Sequence, residues 1–259
     1  MISNLSIFFM IVSAVVSLVL PFGLYFYFRK HYAISRRTVW VGVLMWIVFA
    51  QILEAIVHIV VLPGSSLLAH PFLFAVYGAL AAGVFEEIGR YVGFNYYLKE
   101  NREWKDGVAY GIGHGGAETV LLGAGASLEL VALALLSNAG KLTQLSSQVP
   151  PDIFNALTST LHATPYTFLL IGVERIFAII FHIALSLIVL LAVRKDNVKY
   201  LWGAILLHAF LDFPAGLYQA GATKMWVVES IAGVCALALA YFIVKAKSYF
   251  NDPIYEEKI

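Results

Sequence analysis

A series of seven long apolar stretches is the feature that most constrains how this chain can fold. A transmembrane helix needs about 20 mostly apolar residues, because the hydrocarbon core of a bilayer is about 30 Å thick and a helix rises about 1.5 Å per residue. The stretches cover residues 5–28, 38–62, 71–98, 107–137, 166–193, 199–219 and 225–246. The sequence therefore predicts an all-α fold, a polytopic membrane helix bundle of about seven transmembrane helices.

Composition supports a chain that lies almost entirely in the membrane. Of 259 residues, 61% are hydrophobic and 13% charged, whereas a soluble domain has about 25% charged residues. The connections between the stretches are short, so residues 1–259 are interpreted as a single transmembrane domain. The formal net charge of +1 gives no indication of nucleic-acid binding, and the lipid bilayer is the partner that the composition predicts. Cys235 is the only cysteine, so an intrachain disulfide is excluded.

Basic residues alternate between the loops and predict the orientation of the chain. They concentrate in the segments that follow the first, third, fifth and seventh stretches, whereas the other loops contain only Lys141 and Lys224. Basic loops mark the cytoplasmic side of a membrane protein. The sequence therefore predicts an outer N-terminus and a cytoplasmic C-terminus. The outer loop 138–165 is the longest and contains an amphipathic piece at residues 152–161, which is interpreted as an ordinary connection, with a surface segment or a lid as alternatives.

Besides Glu54 and His58 in the second span and the single acids Glu129 and Glu229, ionisable side chains interrupt four of the predicted spans. Each charge at the centre of a bilayer costs about 2.5–3.5 kcal/mol on insertion scales, so such residues face the interior of the bundle and mark functional sites. They are Glu86, Glu87 and Arg90 in the third span, His114 and Glu118 in the fourth, Glu174, Arg175 and His182 in the fifth, and His208 and Asp212 in the sixth.

The spacing of these residues predicts that several share a helix face. His114 and Glu118 are four residues apart, as are His208 and Asp212, and residues at this spacing are neighbours on a helix surface. Arg90 can reach back to either member of the glutamate pair one turn before it.

Depth in the membrane gives a second indication of a common site. Counted from the predicted cytoplasmic ends of their helices, Glu87, His114, His182 and His208 all lie roughly 12–17 Å deep. The third and fifth spans run inward while the fourth and sixth run outward, so this agreement does not follow from sequence order. A single polar layer in the cytoplasmic half of the membrane is expected.

Adjacent carboxylates and several histidines are the components of a hydrolase that activates water. A buried glutamate can act as a general base, and histidines can bind zinc or donate hydrogen bonds to an oxyanion. A catalytic zinc ion needs three protein ligands and one open position. His114 and His208 are the first candidates, with His182 or Asp212 as the third. A metal-free mechanism based on glutamate and histidine remains the alternative.

The order and spacing of these motifs carry a resemblance to a known family. The series resembles that of the CAAX-protease and bacteriocin-processing (CPBP) family of intramembrane proteases. It is most similar to the bacterial YhfC branch, with PrsW proteases and the APH subunit of gamma-secretase as more distant relatives. The resemblance covers residues 85–213 and rests on three motifs, Glu86-Glu87-x-x-Arg90, Tyr110-x-x-x-His114 and His208-x-x-x-Asp212.

The resemblance implies an intramembrane endopeptidase of a bacterial cell membrane that cleaves a membrane-embedded peptide or protein. By position, Glu86 would activate water with support from Glu87, and His114 would assist that water. His208 and Asp212 would bind a metal or stabilise the oxyanion, and Arg90 would anchor the glutamate pair. CAAX endopeptidases usually place this arginine one residue later and have asparagine at the last position. The aspartate found here is the better metal ligand.

Other residues and other functions stay open at this stage. Glu118, Glu174, Arg175 and His182 have no place in the shortest family pattern, and we interpret them as supporting residues of the same polar layer. Buried glutamate, histidine and arginine also form proton relays, so a proton-coupled transporter or channel is an alternative function. A non-catalytic membrane scaffold like APH is another.

Overall fold

The computed structural model describes residues 1–142, 144, 148 and 150–251, and this part of the chain contains helices and no strand. Seven helices are long and apolar enough to cross a membrane, which confirms the predicted fold class. Their ends lie within a few residues of the predicted ones. The spans are α1 (Asn4–Tyr32), α2 (Arg36–Val61), α3 (Pro71–Tyr97), α4 (Trp104–Asn138), α6 (Pro165–Arg194), α7 (Lys199–Gln219) and α8 (Met225–Phe250). Between α4 and α6 lies the short helix α5 (Pro151–Ser159), followed by a 3-10 turn at Thr160–His162.

Local sequence signals explain where the spans begin and end. Pro71 occupies the first turn of α3, a position where its missing N–H is not needed. The Ser35 hydroxyl accepts a hydrogen bond from the Thr38 backbone N–H and caps α2. Gly140 and Gly221 follow the ends of α4 and α7 with φ angles of +70° and +73°. This left-handed conformation ends helices and favours glycine.

The glycine-rich fourth span is helical over its whole length, Trp104–Asn138. Its middle part changes from α-helix to π-helix over Thr119–Gly125. Similar π-helical stretches occur at Ile47–Glu54 in α2 and at Gly93–Tyr97 in α3. Such stretches are rare and often lie at functional sites.

The chain packs as two compact units, and each has its own apolar core. The larger unit comprises Pro21–Ala117 and Phe177–Ile259, and the smaller comprises Met1–Leu20 and Glu118–Ile176. Phe94, Tyr110 and Leu187 are fully buried in the core of the larger unit. That residues 1–259 form a single domain stays a prediction.

In the smaller unit, a serine hydroxyl joins α1 to α6. Ser13 Oγ donates a hydrogen bond to the Phe168 carbonyl at 2.5 Å and accepts one from the Gly172 N–H at 3.1 Å. These two backbone groups are four residues apart in α6, so the hydroxyl lies between the partners of a helical hydrogen bond. Met10 and Phe168 are buried beside it in the core of this unit.

Glycines in the first half of α4 allow neighbouring helices of the larger unit to approach closely. A Cβ atom on Gly111 would lie 2.5 Å from Ile183 Cα in α6. On Gly115 it would lie 2.8 Å from the Cβ atom of His182. Small residues at helix contacts are typical of membrane proteins, where close van der Waals packing holds helices together. The glycines therefore bring α4 against the part of α6 that carries His182.

The predicted orientation can be tested with single cysteines in a Cys235→Ser background. We expect a membrane-impermeant maleimide to label Leu68→Cys, between α2 and α3, in intact cells. Lys195→Cys, between α6 and α7, should react only after permeabilisation, because basic loops face the cytoplasm. The opposite labelling pattern would show that the chain is inserted the other way round.

The close approach at Gly111 predicts that a single methyl group there destabilises the protein. Gly111→Ala should lower the free energy of unfolding by about 1–3 kcal/mol, because overpacking forces helices apart. Gly78→Ala is the matched control, since a Cβ atom on Gly78, also within a span, meets nothing within 4 Å. Thermal unfolding in detergent measures both, and equal melting temperatures for the two variants would contradict the packing argument.

Candidate functional site

The glutamate pair of α3 is bound by an arginine one turn later on the same helix. Arg90 Nη1 donates to Glu87 Oε1 at 2.5 Å, and Arg90 Nη2 donates to Glu86 Oε2 at 3.4 Å. The side chains of Arg90 and Glu87 are completely buried, whereas that of Glu86 retains 9% exposure. The sequence predicted that Arg90 would reach one glutamate, and it contacts both.

Three histidines from three other helices surround one oxygen of Glu86. His114 Nε2 in α4 lies 2.8 Å from Glu86 Oε2. His182 Nδ1 in α6 and His208 Nε2 in α7 both lie 3.9 Å from the same oxygen. The structure thus brings together residues from four helices that the sequence placed at one depth.

His208 lies between two carboxylates. Its Nδ1 is 2.6 Å from Glu87 Oε1, and its Nε2 is 3.3 Å from Asp212 Oδ2, as the four-residue spacing predicted. The Asp212 side chain is 43% exposed, although His208, one turn earlier on the same helix face, is almost completely buried. Asp212 is therefore more exposed than the residues that it joins through His208.

We call Glu86, Glu87, Arg90, His114, His182, His208 and Asp212 the carboxylate–histidine cluster. All seven belong to the larger unit. The other three predicted site residues form their own ion-pair group in the smaller unit. There Arg175 Nη1 donates to Glu118 Oε1 at 3.0 Å, and Arg175 also binds Glu174.

The contact between Arg90 and His182 is one that sequence reasoning missed. Arg90 Nη2 lies 2.6 Å from His182 Nδ1. The two residues are 92 positions apart, and spacing rules extend only over a helix turn or two.

Tyr110 was noted only as part of a motif. It is fully buried, donates to the Gly89 carbonyl at 3.4 Å, and stacks near His114 with ring centroids 6.1 Å apart.

A second histidine–carboxylate pair lies outside the cluster, in α2. His58 Nε2 is 3.2 Å from Glu54 Oε1, and His58 Nδ1 is 2.9 Å from the Tyr77 hydroxyl. Both ring nitrogens of His58 are therefore engaged. This pair resembles those of the cluster in chemistry, with Glu54 buried and the His58 side chain 32% exposed, and it provides control positions for substitutions there.

The donor atoms of the cluster suit a metal ion. Glu86, His114 and His182 are buried and offer one carboxylate oxygen and two ring nitrogens, all within 4.8 Å of one another. Two histidines and one glutamate are a ligand set that proteins use for catalytic zinc. Donors bound to one tetrahedral zinc ion lie about 3.3 Å apart, so shifts of about 1 Å would bring these atoms to binding distance.

The charge of the cluster also favours a cation. Three carboxylates, on Glu86, Glu87 and Asp212, accompany the single guanidinium of Arg90. The formal charge is then −2 with neutral histidines, and it stays negative if His208 carries a proton. Glu87 Oε2 is buried and has no hydrogen-bond partner among the residues that the structure describes. A divalent cation would offset this negative charge.

The fold and this cluster define a multi-pass membrane protein with a buried, metal-compatible site of glutamates and histidines. The family model described as YhfC intramembrane metalloprotease matches residues 16–232, and the chain belongs to this family. A Bacillus subtilis (strain 168) protein described as "Uncharacterized membrane protein YhfC" is 38% identical over 258 residues, covering 97% of this chain and 100% of the relative. No solved structure matches the chain.

These comparisons confirm the predicted YhfC resemblance and a multi-pass membrane protein of bacterial type. The more distant relations, to the wider CPBP family, PrsW and APH, stay predictions.

The donor set predicts how metal content should respond to substitution. The purified wild-type protein, loaded with zinc and washed, should retain about one zinc ion per chain, and His114→Ala/His182→Ala should retain none, because two of three ligands are removed. His58→Ala should bind zinc like the wild type. Elemental analysis of the detergent-solubilised proteins measures this, and equal zinc in the double variant would place the ion elsewhere.

Proposed function

We propose that this protein is an intramembrane endopeptidase that hydrolyses a membrane-associated peptide or protein. The observation that carries the proposal is that Glu86 Oε2 lies within 3.9 Å of ring nitrogens from three buried histidines. A structural role alone accounts poorly for such a group, because hydrogen bonds between membrane helices contribute only about 0.6–2 kcal/mol each. The family's description as a metalloprotease supports the same reaction class.

Glu86, His114 and His182 would hold the metal ion, which we propose to be zinc. When bound, zinc acidifies a water molecule and polarises the carbonyl group of the scissile bond. A carboxylate group has two oxygen atoms, so one can bind the ion while the other takes a proton. We assign to Glu86 the removal of a proton from the attacking water, and to His114 the role of a ligand that keeps the ion beside Glu86.

Glu87 has a different role from that of its neighbour. Its Oε1 is engaged by both Arg90 and His208, and its side chain is completely buried. Glu87 is therefore a positioning residue, which fixes Arg90 on one side and His208 on the other. Glu86, with 9% side-chain exposure, is the member of the pair that can meet water.

His208 and Asp212 would act on the substrate carbonyl. The contact between His208 Nε2 and Asp212, at 3.3 Å, is longer than that between His208 Nδ1 and Glu87, at 2.6 Å. Asp212 is also the exposed member of the cluster. The Nε2–H group can therefore turn from Asp212 to the oxygen of the tetrahedral intermediate, while Nδ1 stays anchored. Hydrogen bonds to that developing charge lower the barrier to reaction.

A proton-coupled transporter is the second candidate, favoured by one observation. His208 links the buried Glu87 to the exposed Asp212, and a chain of acid, histidine and acid is the arrangement that proton relays use. Proton flux into proteoliposomes that is lost in Glu87→Gln, with no proteolysis by the wild type, would favour transport.

Glu86→Gln tests the proposed protease. The substitution keeps the size of the side chain and removes the base, so we expect cleavage to slow by about 100-fold or more. Membrane proteins with newly formed termini would be compared between cells that express the wild type and cells that express the variant. Glu54→Gln is the matched control, since it also removes a buried carboxylate bonded to a histidine. Identical cleavage products in all three strains would refute the proposal.

A further inference from the structure

Arg90 and His182 share a hydrogen bond whose direction is fixed. A guanidinium group only donates hydrogen bonds and stays charged, so Nδ1 of His182 must be the acceptor in the 2.6 Å contact with Arg90 Nη2. A ring nitrogen has one lone pair in the ring plane. In this arrangement the Nδ1 lone pair accepts the hydrogen bond from Arg90.

The same lone pair is the one that a metal ion in the cluster would need. Nδ1 is the nitrogen of His182 that lies 3.9 Å from Glu86 Oε2. The other nitrogen, Nε2, carries the proton when a neutral ring accepts at Nδ1, and a protonated nitrogen cannot bind a metal. Arg90 and a metal ion are therefore mutually exclusive partners of His182.

We propose that the positive charge of Arg90 replaces that of the metal ion in the metal-free protein, and that metal binding displaces Arg90 Nη2 from His182. The inference rests on the proposed metal site. Arg90 can release this contact without leaving the cluster, because its other arm, Nη1, is held by Glu87 at 2.5 Å. Nη1 keeps the Arg90 side chain in place, whereas Nη2 leaves His182 when the ion binds.

Charge explains why such a residue is needed. Without Arg90, the buried carboxylates of Glu86 and Glu87 would have no permanent positive partner on their helix, and uncompensated buried charge is strongly destabilising. With Arg90 present, the metal-free protein can insert and fold. The same guanidinium repels a cation and competes for a ligand, so Arg90 lowers the affinity of the site for metal.

The test compares zinc affinity in variants that separate the lost contact from the lost charge. Arg90→Met/Glu87→Gln removes one positive and one negative charge, so its cluster keeps the formal charge of the wild type while Nδ1 of His182 is freed. Glu87→Gln alone keeps Arg90 and controls for the second substitution. Zinc affinity is measured by competition with a fluorescent chelator in detergent.

We expect the double variant to bind zinc about tenfold or more tightly than the wild type, the size of one hydrogen bond to a charged group. Glu87→Gln alone should bind zinc more weakly than the wild type. Equal or weaker binding by a folded double variant would overturn the inference and leave the proposed metal site intact. If neither the wild type nor either variant binds zinc, the proposed metal site and this inference are both wrong. If only the double variant binds zinc, Arg90 prevents zinc binding completely in the wild type.

If the variants do not fold, NMR spectroscopy of the wild-type chain labelled with ¹⁵N-histidine tests the same inference. The His182 resonances are identified by their loss in His182→Gln, and zinc is then added. A shift at Nδ1 from a hydrogen-bonded to a metal-bound position supports the exchange. An unchanged Nδ1 together with a metal-bound Nε2 would overturn it.

Discussion

The ion pair between Arg90 and the two glutamates before it is the interaction on which the rest of the larger unit depends. Charges inside a bilayer are tolerated only when they have partners. Here the partners lie within one turn of a single helix, at separations of three and four residues. Helix α3 therefore carries its own counter-ion before it meets any neighbour. The histidines of the other helices can then approach a group that is already partly neutralised.

The close packing of α4 places those histidines. His114 follows Gly111 and Gly113 on the same helix, and both glycines lie against the backbone of other helices. A larger residue at Gly111 would hold α4 away from α6, and one at Gly113 would hold it away from α2. Either change would move His114 away from its contact with Glu86. The glycines at the helix contact are therefore needed for the site to form. Hydrogen bonds of about 3 Å between helices require that the helix axes stay a short, fixed distance apart.

Much of this could be predicted from the sequence, because it depends on local spacing and on length. The seven spans follow from the apolar stretches, and the pairs Arg90–Glu86 and His208–Asp212 follow from helix geometry. Equal depth in the membrane predicted one layer that holds Glu87, His114, His182 and His208, and the structure brings these four side chains into one cluster. These quantities are set by the bilayer thickness and the helix rise, so they need no knowledge of which helices are neighbours.

The rest could not be predicted, because depth does not specify rotation. Each helix can turn about its axis, so the sequence did not show that Arg90 faces His182 or that Arg175 pairs with Glu118. For the metal ligands the sequence named His114 and His208 with His182 or Asp212, whereas in the structure Glu86, His114 and His182 offer donor atoms within 4.8 Å of one another. His208 is instead engaged by a carboxylate on either side.

The missing side chain at Gly115 has a consequence for how this site can change during evolution. The Cβ atom and the ring of His182 occupy the space that a Cβ atom on Gly115 would need, at 2.8 Å from the His182 Cβ and 2.9 Å from its Cδ2. The nearest of these atoms is one that every residue except glycine has, so a smaller side chain in place of His182 would not make room for an alanine at position 115. A relative could gain that alanine only if α4 and α6 moved apart, and the glycine is therefore constrained by the spacing of the two helices and not by the histidine alone.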